Sequence, residues 1–131
     1  MNPHTPDAVV NFPEGLPGFE TCRRFILVRS TASAPFTVLQ GIDGQTPPAF
    51  VAIDPQLVQQ DYAKVLESLD LTRLEARDGE ALLWLSLVST QADGQATVNL
   101  RAPIVINPRS MRGIQLVAEN SPYPLDHPLA E

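Results

Sequence analysis

The sequence predicts an all-β or mostly β fold, a small barrel-like antiparallel sheet carrying short inserted helices. Three observations lead there. Thirteen prolines and seven glycines interrupt the chain at intervals of about ten residues or fewer, the spacing of turns between short strands. The stretches between them are short and rich in Val, Ile, Leu, Phe and Thr, residues that fit a pleated surface. The longest apolar run, EALLWLSLVST (80–90), carries leucines on one face and Leu82, Trp84 and Val88 on the other, as a strand covered on both sides would.

Taken in chain order, Val9 to Phe12 is a first short strand, Arg24 to Arg29 a second, Phe36 to Gln40 a third and Ala49 to Ile53 a fourth. Asp54-Pro55 is a helix start, an N-cap acceptor followed by proline at the first helical position, and QLVQQDY supplies about one turn. A second helical piece is expected over Ala63 to Leu69. Glu80 to Thr90 lies between the turn signals Asp78-Gly79 and Asp93-Gly94, and Gln95 to Leu100 returns antiparallel to it with Val98 and Leu100 inward. Ile104 to Asn107 and Gly113 to Glu119 form a last pair joined by PRSMR.

At 131 residues the chain matches one domain, 1–131, with a short strand region at 1–11 and an irregular proline-rich tail at 120–131. With 44% hydrophobic residues it contains no apolar run near the roughly 20 residues that a membrane span needs, and MNPHTPDAVV lacks an export signal, so the cytoplasm is the expected compartment.

The segment FPEGLPGFE (12–20) is too rich in proline and glycine for a helix or strand and reads as consecutive turns with Phe12, Leu16 and Phe19 as anchors. Such a loop buries its apolar side chains or offers them to a partner; Glu14 and Glu20 are its partner-facing groups. In NLRAPIVIN (99–107), Pro103 interrupts strand pairing, which would leave Ala102 to Val105 at a sheet rim with accessible apolar side chains. Ile104 and Ile106 read equally well as core, and Asn99 and Asn107 as residues completing local backbone hydrogen bonds.

Chemistry finds little support in the residue types. His4 and His127 lie near the two ends and Cys22 is alone, so neither a nucleophile–base pair nor a zinc site can be assembled; no metal or cofactor is expected. The nearest carboxylate pairs, Asp54 with Asp61, Asp78 with Glu80 and Glu14 with Glu20, leave a small-barrel enzyme as one alternative. An OB-like nucleic-acid binder using Trp84 is another. Against the latter, a net charge of −6 with scattered basic residues offers no stripe for phosphates and suits a basic protein partner better.

FPEGLPGFE, FTVLQ (36–40), AFVAIDP (49–55), QDY (60–62), TVNLRAPIVIN (97–107), GIQLV (113–117) and YPLDHPL (123–129) together resemble the flagellar assembly factor family FliW, in the family's order over residues 12–129. The resemblance implies a cytoplasmic, non-enzymatic binder with a small β-barrel-like fold. It implies two protein partners, newly made flagellin and the RNA-binding regulator CsrA, which the binder draws off the flagellin transcript until flagellin takes the binder away. Within the two blocks that carry the resemblance, the residues read as candidate partner contacts are Glu14, Phe19 and Glu20, and Asn99, Arg101, Ala102, Pro103, Ile104, Val105 and Asn107. Two departures stand out. The family usually has an additional strand before FPEGLPGFE, whereas eleven residues precede Phe12 here; the chain is expected to be a monomer, with a dimer through an exposed edge at Val9 to Phe12 as the alternative. GIDGQTPP (41–48) replaces a more acidic, serine-containing connection.

Overall fold

The computed structural model describes residues 9–116 and 121–129. Nine strands and two short helices follow in order: β1 (Val9–Asn11), β2 (Arg24–Val28), β3 (Thr37–Gly41), β4 (Ala49–Ile53), α1 (Pro55–Val58), α2 (Ser68–Arg73), β5 (Leu83–Thr90), β6 (Ala96–Val98), β7 (Ile104–Asn107), β8 (Arg112–Gln115) and β9 (His127–Pro128). Seven of the strands, in the order β4-β3-β2-β1-β8-β7-β5, close a barrel when β5 pairs back onto β4. Every pairing is antiparallel except β1 with β8, which meet in parallel at Asn11 and Arg112. On its other edge β5 binds β7 through Leu83–Leu85 and β6 through Val88–Thr90, so β6 and β9 extend the sheet beyond the ring.

Strand alternation gives the barrel wall two buried faces. Val10, Phe12, Phe25, Leu39, Ala52, Leu85, Ile104 and Ile106 point inward and fill the barrel, joined by Leu16 and Cys22. Their strand neighbours Ile53, Trp84, Val105 and Ile114 point outward, into a second core with Tyr62, Leu74, Val98 and Leu100. The segment carrying α1 and α2 therefore packs over the barrel's exterior, and the β5 alternation expected from the sequence is observed: Leu83, Leu85 and Leu87 face the inner core and Leu82, Trp84 and Val88 the outer one.

Local signals explain the element boundaries. Asp54 accepts a hydrogen bond from Gln56 N (2.9 Å) and Pro55 opens α1. At the β5–β6 turn Gly94 takes a positive φ of 87°, Asp93 Oδ1 accepts from Gln95 N (3.0 Å), and Gln91 N donates to Gln95 O (2.7 Å).

Four expectations need correction. The second helix spans Ser68–Arg73 rather than Ala63 to Leu69, because Glu67 and Asp70 form a reciprocal capping box, Glu67 N donating to Asp70 Oδ2 at 2.9 Å, that fixes its start. The tail is not wholly irregular: β9 pairs with β6, and Pro128 is tolerated because β9 is the outermost strand in the order. The first strand is no exposed edge, since β1 lies between β2 and β8, and the alternative of a dimer through it loses its basis. Ile104 and Val105 are fully buried rather than accessible at a rim. The wall is covered inside and outside where they sit, so Pro103, itself buried, marks the entry to a central strand. The expected strand Gly113 to Glu119 is described as Arg112–Gln115; residues 117–120 lie outside the described residues.

Candidate partner-binding cleft

The FPEGLPGFE loop is a stack of turns, as its composition predicts. Gly15 N donates to Phe12 O (2.8 Å), Phe19 N to Leu16 O (2.8 Å) and Cys22 N to Phe19 O (3.0 Å). Gly15 and Gly18 both take positive φ, 68° and 85°. Phe12 and Leu16 plug the barrel, with Phe12 edge-on to Phe25 at 5.4 Å between ring centroids. Phe19 does not follow them: it remains 44% exposed while resting edge-on against Phe50. The two anchors thus fix the loop, and the third apolar side chain is presented on the surface.

A cleft of about 420 Å³ opens beside this loop. The loop supplies Glu14, Gly15, Pro17 and Glu20 to one wall; the opposite wall is Val65, Glu67, Asp70 and Arg73. The floor is the end of β8 and the residue after it, Gly113 to Leu116. Arg73 spans the cleft, pairing with Glu14 on the loop and reaching Asp70 at 3.6 Å on its own helix. Glu20 and Glu67 have no cationic partner among the described residues, and each is held by a backbone N–H, Glu20 by Gly18 N (3.0 Å) and Glu67 by the third residue of α2.

The NLRAPIVIN block approaches the cleft from behind. Gln115 Nε2 donates to Ala102 O (3.0 Å) and Leu116 N to Pro103 O (2.9 Å), so the cleft floor hangs on the turn before β7. Asn99 Oδ1 accepts from Arg101 N (3.1 Å) and Ala102 N (3.0 Å), and Arg101 Nε donates to Tyr123 O (3.0 Å). Asn99, Arg101 and Ala102 are half-buried. Asn107 is completely buried; its amide donates to the carbonyls of Leu74 (3.2 Å) and Glu75 (3.3 Å) and to Glu80 Oε1 (3.3 Å). Of the ten candidate contacts, the structure brings Glu14 and Glu20 to one cleft, exposes Phe19 nearby on the same loop, and leaves Pro103, Ile104, Val105 and Asn107 inside. Residue-type reasoning missed Val65, Glu67, Asp70 and Arg73; the Glu67–Asp70 capping spacing was the one local signal available for them.

Two of the carboxylates paired in the sequence reading are engaged in local contacts. Asp54 caps α1, and Glu80 accepts from Arg109 Nε and from Arg77 N (2.9 Å). Arg109 first, then the Arg77 amide, pull the Glu80 carboxyl down to about 2, the direction opposite to a general acid. Asp43, in the departing GIDGQTPP segment, is likewise held below the usual carboxylate range, mainly by the Arg24 guanidinium. It also accepts from the amides of Arg23 and Arg24, which makes it a brace between that segment and β2. Among the described residues no group of His, Cys, Asp and Glu is arranged to hold a metal ion, and no helix is long and apolar enough to cross a membrane.

Comparison with known proteins points to one family. The family model described as FliW protein matches residues 3–129. A flagellar assembly factor FliW of Thermotoga sp. (strain RQ2) is 36% identical over 127 residues, covering 95% of this chain and 85% of the relative. One from Natranaerobius thermophilus is 38% identical over 125 residues, covering 94% and 82%. A solved crystal structure of the flagellar assembly factor FliW superposes with a TM-score of 0.85 at 30% identity, covering 97% of this chain and 89% of that one.

Proposed function

The chain belongs to the FliW family of flagellar assembly factors, and on that footing we propose that it binds newly made flagellin and a CsrA-type RNA-binding regulator in the cytoplasm, coupling flagellin synthesis to its export. In this reading the protein transforms nothing. It sequesters the regulator while flagellin is scarce and surrenders it when flagellin accumulates and occupies the binder.

The observation that carries the reading is the family match over residues 3–129, since it spans the barrel, the loop and the cleft together. The net charge of −6 supports it, because a regulator that holds RNA presents a basic surface, which an acidic protein approaches favourably. Release of RNA then follows from coupling between two sites on the regulator or from repulsion of the phosphates. The burial of Trp84, 6% exposed in the outer core beside Tyr62, counts against the alternative in which it stacks nucleic-acid bases.

Immobilised protein is expected to retain purified flagellin and, separately, the regulator, and added flagellin is expected to elute the regulator. Retention of neither partner would remove the reading. An RNA gel shift by the protein alone at low salt would instead revive the nucleic-acid alternative.

A further inference from the structure

We propose that the cleft between the FPEGLPGFE loop and α2 is a docking groove for an extended protein segment carrying a lysine or arginine between apolar residues, a deepening that rests on the protein-binding reading above. The groove holds about 420 Å³, its floor runs from Gly113 to the half-buried Leu116, and Pro17 and the 69% exposed Val65 stand at its lips. Its rim carries four carboxylates, Glu14, Glu20, Glu67 and Asp70, against the single cation Arg73.

Charge complementarity selects the occupant. Arg73 already sits between Glu14 and Asp70, which neutralises that end of the groove and shows that a guanidinium fits between the loop and the helix. Among the described residues Glu20 and Glu67 remain uncompensated on opposite walls, each anchored by a backbone N–H that leaves its second oxygen able to accept. An incoming ammonium or guanidinium placed between them gains charge-assisted hydrogen bonds, while its apolar neighbours cover Val65 and Pro17. Phosphate-bearing partners are repelled by the same rim, which separates this groove from a nucleic-acid surface.

The test uses the full chain and a labelled synthetic peptide alternating lysine or arginine with leucine and valine, read by fluorescence anisotropy. A control peptide with glutamine at every basic position should bind at least about tenfold more weakly, the equivalent of two rim charges. The double variant Glu20→Lys, Glu67→Lys should lose about tenfold or more of the peptide affinity at low salt and show a flatter salt dependence; it stays folded, while loss of the Glu67 side-chain cap on α2 lowers its melting temperature by a few degrees. Arg73→Gln, which releases Glu14, should tighten peptide binding about twofold. Equal binding of the basic and glutamine peptides overturns the proposal, and so does a double variant that folds normally and binds as wild type. A protein that takes the peptide but retains neither flagellin nor the regulator would fail the functional reading and keep the groove. One that retains a partner equally well with and without the charge reversals would fail the groove alone.

Discussion

The Tyr62 hydroxyl donates to the Leu100 carbonyl at 2.7 Å, fastening the segment after α1 to the end of the β5–β6 hairpin across 38 positions of sequence. Tyr62 also stacks on Tyr123, whose hydroxyl accepts from Ala63 N at 2.8 Å. This joint holds the outer core shut over Trp84, Val98 and Leu100, and through them it fixes the wall behind the cleft.

Replacing Tyr62 by Phe keeps the ring and leaves the Leu100 carbonyl without its partner, so a loss of about 1–2 kcal/mol is expected in urea unfolding. The pH dependence is the sharper test. Burial, aided by Tyr123, pushes the Tyr62 phenol from its ordinary 10.0 up to about 12. An unfolded chain ionises this group first as pH rises, so its contribution is complete below about 10 and is lost on the way to 12. The melting temperature of the wild type should therefore fall more steeply than that of Tyr62→Phe across this window; parallel curves would refute the assignment.

Glu80 provides the acid counterpart. Its carboxyl, held at about 2 chiefly by Arg109, contributes stability that is complete above the ordinary 4.5 and lost as pH falls through the folded value. Glu80→Gln should melt below wild type at neutral pH and converge with it as pH approaches 2. A constant offset at every pH would mean that the contribution is packing and not charge.

Gly113 is required by the loop's first anchor. A Cβ placed there would lie 2.6 Å from the Phe12 ring, which is fully buried and braced by Phe25, so neither partner can retreat. Gly113→Ala should cost about 1–3 kcal/mol and lower the melting temperature by about 5 °C or more. Phe12→Leu in the same chain should recover part of that loss, and a double-mutant cycle showing no coupling would contradict the contact.

What the sequence made legible follows from how local each cause is. The β5 alternation, the Asp54-Pro55 start and the Asp93-Gly94 turn depend on neighbours within a few residues, and all three stand as read. Val105 was misplaced at a rim because an outward-facing valine is buried only if something covers it, and its cover, Tyr62 and Leu74, comes from a segment far away in the chain. His127–Pro128 carries no strand propensity; it pairs because β6 offers a free edge there. Glu14 and Glu20 were visible as loop charges, but the cleft exists only because α2 and β8 meet them, and no spacing in the sequence encodes that meeting. Pro103 misled for the same reason: a local breaker was read as a rim when tertiary packing had made it the start of a central strand.

Ser86 is a polar group the fold tolerates without rewarding. Its hydroxyl is buried in β5 opposite Ile53, and it has no hydrogen-bond partner among the described residues. Ser86→Ala removes a desolvated hydroxyl at little cost in volume and should raise stability by about 1 kcal/mol. A destabilised variant would show that the hydroxyl is satisfied after all.

Glu75 closes α2 in a conformation that favours glycine. Its φ of 52° is the left-handed residue of a Schellman ending, in which Ala76 N donates to Leu71 O (2.8 Å) and Glu75 N to Thr72 O (3.0 Å). Two effects oppose one another at this position. Glycine would relieve about 1 kcal/mol of backbone strain, while the exposed pair that Glu75 makes with Arg112 at 3.1 Å is worth a few tenths of that at ordinary salt, roughly 0.2–1 kcal/mol at most. Strain should win, so Glu75→Gly is expected to stabilise slightly, and Glu75→Ala, which drops the ion pair and keeps the Cβ, to destabilise. The opposite signs of the two variants in the same melting experiment are the test. If both lower the melting temperature, the Arg112 pair dominates, and the α2 ending that sets the cleft wall is held by charge.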